Sequence, residues 1–454
     1  MLWIIACPLF SQNWVQVGDL NYDPRVMLND TVSGLLYLAG NFRFNGIDTV
    51  DGFCAYDGAA ITSFGRRYDC TSFGCDPAFM IARYEGQLYL SGPGLTIIDG
   101  VDVKGIGRWD GTKWSAGMTG LFDDEDENPF LDGYCIYNGN FYGVGSFRTA
   151  EGDTCNSVAY WDGQKWTGLT FPPRSGNFLP RVFNVIFYQD QLYVGGNFYW
   201  EVGQGADIAR LTSTGWEMVG GGLKGGLANV FDMVEYKGEL YACGYFTELD
   251  GNVGNKIMRW DGQQWKKVGE GFCSPFVSVT RMLVFEDKLY VVGLFDCVEE
   301  DLYASNIATW DGERWCSLGN SYFNNKINYI EEYKGEIYVA GGFTQVDGQP
   351  CHSLAKYIGD HSTDTCSTPI SAAPEPNSTG FSLSPNPASD MLEIQAPSPI
   401  ESVWIFDATG RKVLRRQVSG ARVSVSVGEL PEGLYFVSVR AEGRVWSGKF
   451  VKQG

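Results

Sequence analysis

The sequence predicts an all-β protein: a seven-bladed β-propeller followed by a small C-terminal β-sandwich. The first observation is an apolar segment, ending in glycine, that recurs at intervals of 48 to 53 residues. The tyrosines of this segment are Tyr37, Tyr89, Tyr142, Tyr193, Tyr241, Tyr290 and Tyr338. A period of about 50 residues with strand-type sequence is typical of propellers, in which each small sheet must stack on its neighbours to bury its faces.

The second observation is a common internal order within each repeat. In residues 227–269, an alternating strand leads to a Lys-Gly turn, and an apolar strand follows at 240–244. A third strand at 257–260 is followed by Asp-Gly and by a final strand that begins at Trp265. Asp-Gly favours a hairpin because glycine tolerates the positive φ of a tight turn. We expect the short turns on one face of the propeller and the longer loops, with any binding site, on the other.

The third observation is an aromatic residue that begins the last strand of most repeats. We interpret these tryptophans as packing between blades, since large aromatic side chains dominate such cores. They are Trp114, Trp166, Trp216, Trp265 and Trp315, with Ile61 in the first blade.

The two ends of the repeat region complement each other. The seventh repeat ends after Tyr357 without a final strand, whereas residues 13–18 form such a strand with no repeat before it. The N-terminal strand therefore completes the last blade and closes the ring, which protects the otherwise exposed sheet edge.

The chain divides into four predicted segments. Residues 1–11 are the remnant of a signal peptide, with a lipidation box around Cys7 as a rival interpretation. Residues 12–360 form the propeller, and the Ser/Thr/Pro-rich residues 361–380 form a linker. Residues 381–454 alternate again and form an immunoglobulin-like β-sandwich of six or seven strands. No other stretch is long enough to span a membrane.

Charge and histidine content exclude several function classes. The net charge is −20, and residues 381–454 contain nine Lys or Arg and seven Asp or Glu, so the propeller is acidic. An acidic surface argues against nucleic acid as a partner, because phosphate binding needs clustered Lys and Arg. Only His352 and His361 are present, which leaves little for zinc or Ser-His chemistry.

The cysteines indicate an oxidising compartment. All twelve precede residue 367, and they form no Cys-x-x-Cys pair. Cys70 and Cys75 share one loop, and Cys273 and Cys297 fall near adjacent strands, so both pairs are candidate disulfides. The sequence leaves the connectivity open.

Two loops contain candidate ligand residues. Asp123, Asp124 and Asp126 lie in the densest acidic run and form a candidate calcium site, the one cofactor that we consider. An ordinary solvated charge run is the alternative. Tyr199 and Trp200 depart from the repeat and are candidates for stacking on a sugar or a protein.

The propeller repeat resembles the kelch-type family and the bacterial delta-60-like repeat. The resemblance rests on Gly-x-Phe, on Asn-x-Ile-Ala at residues 306–308, and on Trp-Asp-Gly-x-x-Trp. It implies the propeller architecture over residues 13–360 and leaves the activity open, because one fold hosts many functions.

The tail resembles the type A C-terminal sorting domain of the type IX secretion system. Four sequence blocks carry the resemblance in order, and we take these sorting-signal residues from them: Pro385, Asn386, Pro387, Gly410, Gly433, Tyr435 and Lys449. The resemblance implies a Bacteroidetes-type cell, recognition by the type IX machinery, passage through the periplasm, and release or anchoring at the cell surface.

We therefore expect a secreted or cell-surface binding protein whose propeller loops engage a glycan or a protein. The scarcity of catalytic motifs favours a non-catalytic protein. One alternative is an extracellular hydrolase or lyase that uses loop carboxylates, since their spacing cannot be read from sequence. A purely structural surface module is the second alternative.

Overall fold

The computed structural model describes residues 13–18, 20, 23–45, 49–63, 68–69, 78–93, 95–122, 129–172, 179–198, 207–225, 228–273, 277–299, 302–360, 364–367, 382–407, 412–441 and 444–453. The chain forms two compact units, Met1–Pro369 and Ile370–Gly454.

The first unit contains seven four-stranded antiparallel sheets. In each sheet, which we call a blade, the strands follow one another from the inner to the outer edge. The strands of blade 1 are Pro24–Asp30, Leu35–Asn45, Thr49–Tyr56 and Ile61–Ser63. Those of blade 2 are Met80–Tyr84, Gln87–Ser91, Ile106–Trp109 and Trp114–Ala116. Those of blade 3 are Phe130–Tyr137, Asn140–Ser146, Val158–Trp161 and Trp166–Gly168. Those of blade 4 are Arg181–Tyr188, Gln191–Asn197, Ile208–Thr212 and Gly215–Met218. Those of blade 5 are Asn229–Tyr236, Glu239–Tyr245, Ile257–Trp260 and Trp265–Lys266. Those of blade 6 are Ser278–Phe285, Lys288–Leu294, Ile307–Trp310 and Trp315–Ser317.

Blade 7 is assembled from both ends of the propeller sequence. Its first three strands are Ile327–Tyr333, Glu336–Gly341 and Leu354–Tyr357, and its outer strand is Trp14–Gln16. The inner strand of every blade contacts that of the next, and the inner strand of blade 7 contacts that of blade 1. The predicted seven-bladed ring, closed by the N-terminal strand, is confirmed.

Short elements lie between the blades. One three-stranded sheet contains Tyr68–Asp69, Ile97–Ile98 and Val101–Asp102, and another contains Leu121–Phe122, Thr149–Ala150 and Asp153–Thr154. In the two-stranded sheets, Cys297–Val298 pairs with Leu302–Tyr303, and Gln345–Val346 pairs with Gln349–Pro350. Two 3₁₀ turns are Val219–Gly221 and Glu248–Asp250.

The repeat glycine is required by a bulge in the inner strand. The pairing of inner and second strands shifts by one residue in six blades, opposite the glycine or next to it. A Cβ atom on Gly196 would lie 2.1 Å from the Arg181 carbonyl oxygen, and one on Gly244 would lie 2.0 Å from that of Asn229. The backbone approaches so closely that only glycine fits.

Tryptophan side chains join successive blades, as the sequence predicts. The Trp315 indole is fully buried and donates a hydrogen bond to the Val268 carbonyl oxygen at 3.1 Å, where the outer strand of the preceding blade ends. Trp216 donates to Leu169 in the same way at 2.8 Å. Each tryptophan thus contributes apolar burial and a satisfied polar contact between neighbouring sheets.

The tyrosine that ends the inner strand forms a second contact between blades, on the short-turn face. Tyr188 donates its hydroxyl to the Gly238 carbonyl oxygen of the next blade at 2.8 Å, and Tyr333 donates to Gly34 at 2.7 Å across the closure of the ring. Phe285 occupies this position in blade 6. Tryptophans and tyrosines therefore connect the same sheets at the outer edge and near the channel.

The predicted linker is only partly independent of the propeller. Cys366 forms a disulfide with Cys316 in the outer strand of blade 6, and the Ser317 N–H donates to the Thr365 carbonyl oxygen at 2.8 Å. The described residues 364–367 therefore add a further edge segment to this blade, beyond the predicted boundary at residue 360. Local composition does not reveal this pairing, because its partner lies 50 residues earlier.

The second unit has the predicted β-sandwich character with five described strands rather than six or seven. They are Ser382–Ser384, Met391–Asp407, Lys412–Ser426, Gly433–Ala441 and Arg444–Lys452. Two of them are long and irregular in register, so segments that alternate separately in sequence belong to one strand. Leu392, Ile405, Val437 and Phe450 lie in its core.

Candidate functional site

The inner strands carry charged side chains around the central channel, near the end where the long loops join them. We call Arg25, Asp132, Arg181, Asp232, Arg281 and Lys326 the channel cluster. The bulges place Arg25 and Asp132 out of the regular pairing, and Arg281 resumes the pairing directly after a bulge. The cluster spans blades 1 and 3 to 7.

Asp232 is the most fully bonded member of the cluster. It is buried, and it accepts hydrogen bonds from the Asn184 amide at 2.9 Å and from the Met282 N–H at 2.8 Å. The Arg281 guanidinium donates to the Phe231 carbonyl oxygen at 2.9 Å and lies 5.2 Å from the centroid of the Tyr329 ring. Burial raises the pKa of Asp232, and the charge of Arg281 opposes that shift. This part of the cluster is fixed in place by contacts within the protein.

Asp132 has a different environment. Asp132 is only 9% exposed, yet its carboxyl group forms no hydrogen bond or ion pair in the part of the chain that the structure describes. Burial raises the pKa of Asp132 to about 7, although the positive charges of Arg181 and Arg281 act to lower it. Arg281 belongs to blade 6 and Asp132 to blade 3, so this interaction acts across the channel.

The positive side of the cluster continues on blades 7 and 1. The pKa of Lys326 is lowered by burial and by the like charges of Arg25 and Arg281, against the opposing charge of Asp23. Arg25 lies 4.0 Å from Asp23, to which the Asn328 amide also donates. Among the described residues the Lys326 ammonium has neither a hydrogen bond nor an ion pair.

Arg181 completes the set of unpaired charges. Its side chain is exposed, and its guanidinium lies 5.1 Å from the centroid of the Phe183 ring. It has no ion pair within the described ranges. Asp132, Arg181 and Lys326 therefore form no hydrogen bond or ion pair among the described residues, although Arg181 acts on Asp132, and Asp23 acts on Lys326, at longer range.

A further carboxyl group, that of Glu331, lies on the inner strand of blade 7. Burial raises the pKa of Glu331 to about 8, and the Glu332 N–H donates to its side chain at 3.2 Å. Burial likewise raises the pKa of Tyr134 to about 12, with a smaller contribution from the negative charge of Glu331 on the opposite side of the ring. Three carboxyl groups with raised pKa values, those of Asp132, Asp232 and Glu331, thus lie along the channel.

The short-turn face contains a concavity of about 480 Å³ between blades 3, 4 and 5. Tyr137 and Phe187 stack there with centroids 3.7 Å apart, and the Tyr137 hydroxyl donates to Asp190 at 2.7 Å. Cys135 and Glu235 complete its polar lining. This concavity lies on the face opposite the one where the sequence places a site.

Most of the predicted loop residues lie outside the described residues. These are Cys70, Cys75, Asp123, Asp124, Asp126, Tyr199 and Trp200. The structure joins Cys273 to Cys297 in a disulfide, and the described ranges contain no group of three acidic, Cys or His residues that could hold a metal ion. The channel cluster was not predicted from the sequence, although its one signal, charged residues at the start of strands that otherwise alternate, is visible in the repeats.

The predicted sorting residues cluster around the last strand of the C-terminal unit. The Asn386 side chain accepts from the Val451 N–H at 2.9 Å and donates to the Lys449 carbonyl oxygen at 3.0 Å, so it continues the sheet beside that strand. Tyr435 stacks on Phe450 with centroids 5.5 Å apart, and its hydroxyl donates to the Pro431 carbonyl oxygen at 2.8 Å. Pro385, Pro387 and Gly433 flank these contacts, and Gly410 lies outside the described residues.

Comparison with known proteins identifies the tail. Residues 382–453 match the family described as the secretion system C-terminal sorting domain. The chain thus combines a ring of seven four-stranded sheets with a tail that matches this sorting domain. Type IX secretion directs this chain to the cell surface or the exterior. In the described residues no helix is long and apolar enough to cross a membrane.

Two solved structures are similar to the chain at low identity. One is described as the extracellular domain of a hybrid two component system from B. thetaiotaomicron; it is 10% identical, with a TM-score of 0.44, and the match covers 96% of this chain and 57% of that one. The other is described as the extracellular domain of a one component system from the same organism, also 10% identical, with a TM-score of 0.21 and coverage of 95% and 86%. A comparison with curated proteins finds no match.

Proposed function

We propose that this exported protein is a binding protein whose propeller engages an extracellular glycan or protein at the long-loop end of its channel. The observation that carries the proposal is that Asp132, Arg181 and Lys326 form no hydrogen bond or ion pair among the described residues. Asp132 is the buried member of this set, and a buried carboxyl group without a hydrogen bond is costly within a protein, so its presence in a channel favours an external partner.

The rigidity of the ring supports the same function. Tryptophan contacts at the outer edge and tyrosine contacts near the channel connect successive blades, and they leave the long loops free to differ between repeats. Rigid scaffolds with variable loops are common binding platforms. Tyr199 and Trp200 remain proposed ligand contacts, and Asp123, Asp124 and Asp126 remain a proposed calcium site.

Binding is tested with the purified chain on a glycan array and against the surface-protein fraction of the producing cell. We expect selective, saturable binding to one class of ligand, reduced by Arg181→Ala. Lys113→Ala is the matched control, because this exposed lysine lies in a turn on the short-turn face. Absence of selective binding in both assays would refute the proposal.

One observation favours the enzymatic alternative. Asp132 and Glu331 both have pKa values raised toward neutrality by burial, to about 7 and about 8, as general acids require. Incubation with polysaccharides, followed by detection of reducing ends or unsaturated products, tests hydrolysis and lyase chemistry. Product that disappears in Asp132→Asn and Glu331→Gln would replace the binding proposal with this one.

The proposal also includes the type of repeat, the signal peptide, the secretion partner and the fate of the protein after export. The repeats are of the kelch-like or delta-60-like kind, and residues 1–11 belong to a signal peptide. The type IX machinery is the partner that recognises residues 381–454, and after export the propeller is either released or held at the surface. A purely structural surface role is the outcome if no ligand is found.

A further inference from the structure

We propose that the concavity on the short-turn face binds a small aliphatic amine, whose ammonium group pairs with Glu235 and Asp190 and whose methylene groups cover Ile136. This inference goes beyond the proposed function, because it concerns the face opposite the long loops and a different class of ligand. The concavity has a volume of about 480 Å³, within the range of roughly 300–1,000 Å³ that is typical of small-molecule sites.

Three consecutive blades contribute equivalent residues to this concavity. Ile136, Phe187 and Glu235 each precede the aromatic residue that ends an inner strand. In each case the residue stands opposite the second residue of the following strand. All three line the same concavity. The stacking of blades 3, 4 and 5 therefore brings two apolar side chains and one carboxylate together.

The apolar part of the concavity departs from the repeat. The equivalent strand position is polar in blades 1, 2 and 7, where it holds Asn29, Arg83 and Glu332. Blade 6 has Val284 there, outside the lining of the concavity. Ile136 is 47% exposed, so a large apolar side chain faces water beside the acidic groups. Covering this side chain with the apolar part of a ligand is favourable.

The charged part of the concavity is acidic. Its described lining contains Glu235 and Asp190 and no Lys or Arg. The Tyr137 hydroxyl donates to one oxygen of Asp190 at 2.7 Å, which holds this carboxylate in position for a ligand. Neither carboxylate forms an ion pair with a residue that the structure describes. Lys237 is directed toward the next blade, where its ammonium donates to the Asp311 carbonyl oxygen at 2.7 Å.

This combination defines the chemistry of the ligand. An ammonium group forms charge-assisted hydrogen bonds with carboxylates, and the stacked rings of Tyr137 and Phe187 add aromatic surface that suits a cation or its methylene groups. An anion would be repelled by both carboxylates and by the net charge of −20. A neutral apolar molecule would desolvate the carboxylates without replacing their hydrogen bonds. A free amine fits better than a lysine side chain of a protein, because the volume is that of a small-molecule site.

The test is titration calorimetry of the full chain with hexylammonium, hexanol and hexanoate, which share a chain length and differ in the charge at one end. We expect hexylammonium to bind with an affinity that falls as salt rises, and the other two to bind at least about fivefold more weakly. No binding of hexylammonium, or a smaller preference for it, would overturn the inference. Tighter binding of N-acetyl-lysine methylamide than of hexylammonium would also overturn it, in favour of a protein side chain.

Variants of exposed residues locate the bound amine. Glu235→Gln and Asp190→Asn should each weaken hexylammonium binding by at least about threefold, because each removes one carboxylate partner. Asparagine tolerates the φ of 58° at Asp190, so this variant should fold. Ile136→Ser should weaken binding to a similar extent through lost apolar contact. Glu313→Gln removes the same charge from an exposed turn of blade 6 and should leave the affinity unchanged.

Thermal unfolding of each variant confirms that a change in affinity is not a change in folding. A loss of less than about threefold in both Glu235→Gln and Asp190→Asn, or an equal loss in Glu313→Gln, would overturn the inference. Such a result would leave the proposed function standing, because that function is tested with glycans and surface proteins and with Arg181→Ala. Absence of glycan and protein binding would remove the proposed function and leave the amine site in place.

Discussion

Trp14 and Tyr357 are direct partners in one antiparallel ladder, with ring centroids 5.1 Å apart, although they lie at opposite ends of the propeller sequence. The Trp14 indole also donates to the Ser321 hydroxyl at 2.8 Å, and its side chain is fully buried. This pairing turns an open row of sheets into a ring, so the stability of blade 7 depends on residues at the start of the chain.

Truncating Trp14 should therefore destabilise the whole propeller. For Trp14→Ala we expect a loss of about 3–5 kcal/mol in the free energy of unfolding, since a large buried aromatic side chain leaves a cavity. Urea denaturation followed by tryptophan fluorescence measures the change. Val15→Ala on the same strand is the control, because Val15 is 37% exposed and should change stability by less than about 0.5 kcal/mol. Equal effects would contradict the closure.

The repeat glycine should be intolerant of any side chain. In Gly244→Ala, the new Cβ would meet the Asn229 carbonyl oxygen at 2.0 Å, and we expect a loss of about 3 kcal/mol or more from the forced backbone shift. Gly238→Ala is the comparison: it has a φ of 76° and free space around it, so only backbone strain of about 1 kcal/mol is expected. Thermal unfolding of both variants checks this order, and a reversed order would show that the bulge tolerates a side chain.

The tyrosine contacts between blades should each contribute modestly. Tyr188→Phe removes the hydrogen bond to Gly238 and the one that the hydroxyl accepts from the Gln189 amide at 3.0 Å, and it should cost about 1–2 kcal/mol with no change in the packing of the ring. The chain already tolerates Phe285 at the equivalent position, so the variant should fold. Differential scanning calorimetry should show a small decrease in Tm. A loss of more than about 3 kcal/mol would indicate a larger role for this hydroxyl than these two hydrogen bonds.

Asp132 should make the stability depend on pH in a defined direction. Its pKa in the folded protein is about 7, above the unfolded value of about 3.9, so the folded state binds the extra proton between these values. Its ionisation therefore lowers stability as pH rises from about 4 to about 7, by up to about 4 kcal/mol at about 1.4 kcal/mol per pKa unit. Asp132→Asn should be more stable than the parent chain at pH 8 and equal to it near pH 4 in urea unfolding.

The control for this experiment is a carboxyl group with the opposite shift. Hydrogen bonds from Thr112 and Lys113 lower the pKa of the exposed Asp110 to about 2. Its stabilising contribution is lost only as pH falls below about 4 toward 2, so Asp110→Asn should not alter the slope between pH 4 and 8. If Asp132→Asn and the parent chain give parallel curves over that range, Asp132 does not titrate as stated.

The C-terminal unit should be needed for export but not for folding of the propeller. Deletion of residues 381–454 should leave folded propeller in the periplasm, measured by cell fractionation and immunoblotting, because residues 382–453 form the sorting domain. Asn386→Ala should reduce export less completely, since it removes two hydrogen bonds to the last strand and retains the rest of the sheet. Normal export of the deletion variant would contradict the sorting role.

The repeats allow the blades to be predicted because each sheet is local in sequence. Gly244 and Trp265 identify strands by position alone, and the missing strand after Tyr357 points to the strand at Trp14. The bulge could not be predicted, since it depends on which carbonyl oxygen approaches Gly244. The Cys316–Cys366 disulfide could not be predicted either, because it joins segments of unlike composition.

The order and number of sheets, their closure and the destination of the chain were thus determined by the sequence itself, through periodicity and the C-terminal motif. The channel cluster was decided by the tertiary structure. Asp132, Arg181 and Lys326 come from three different blades, and only the closed ring brings their charges to one end of the channel. Electrostatic interaction depends on distance and burial, and neither exists until the sheets have closed.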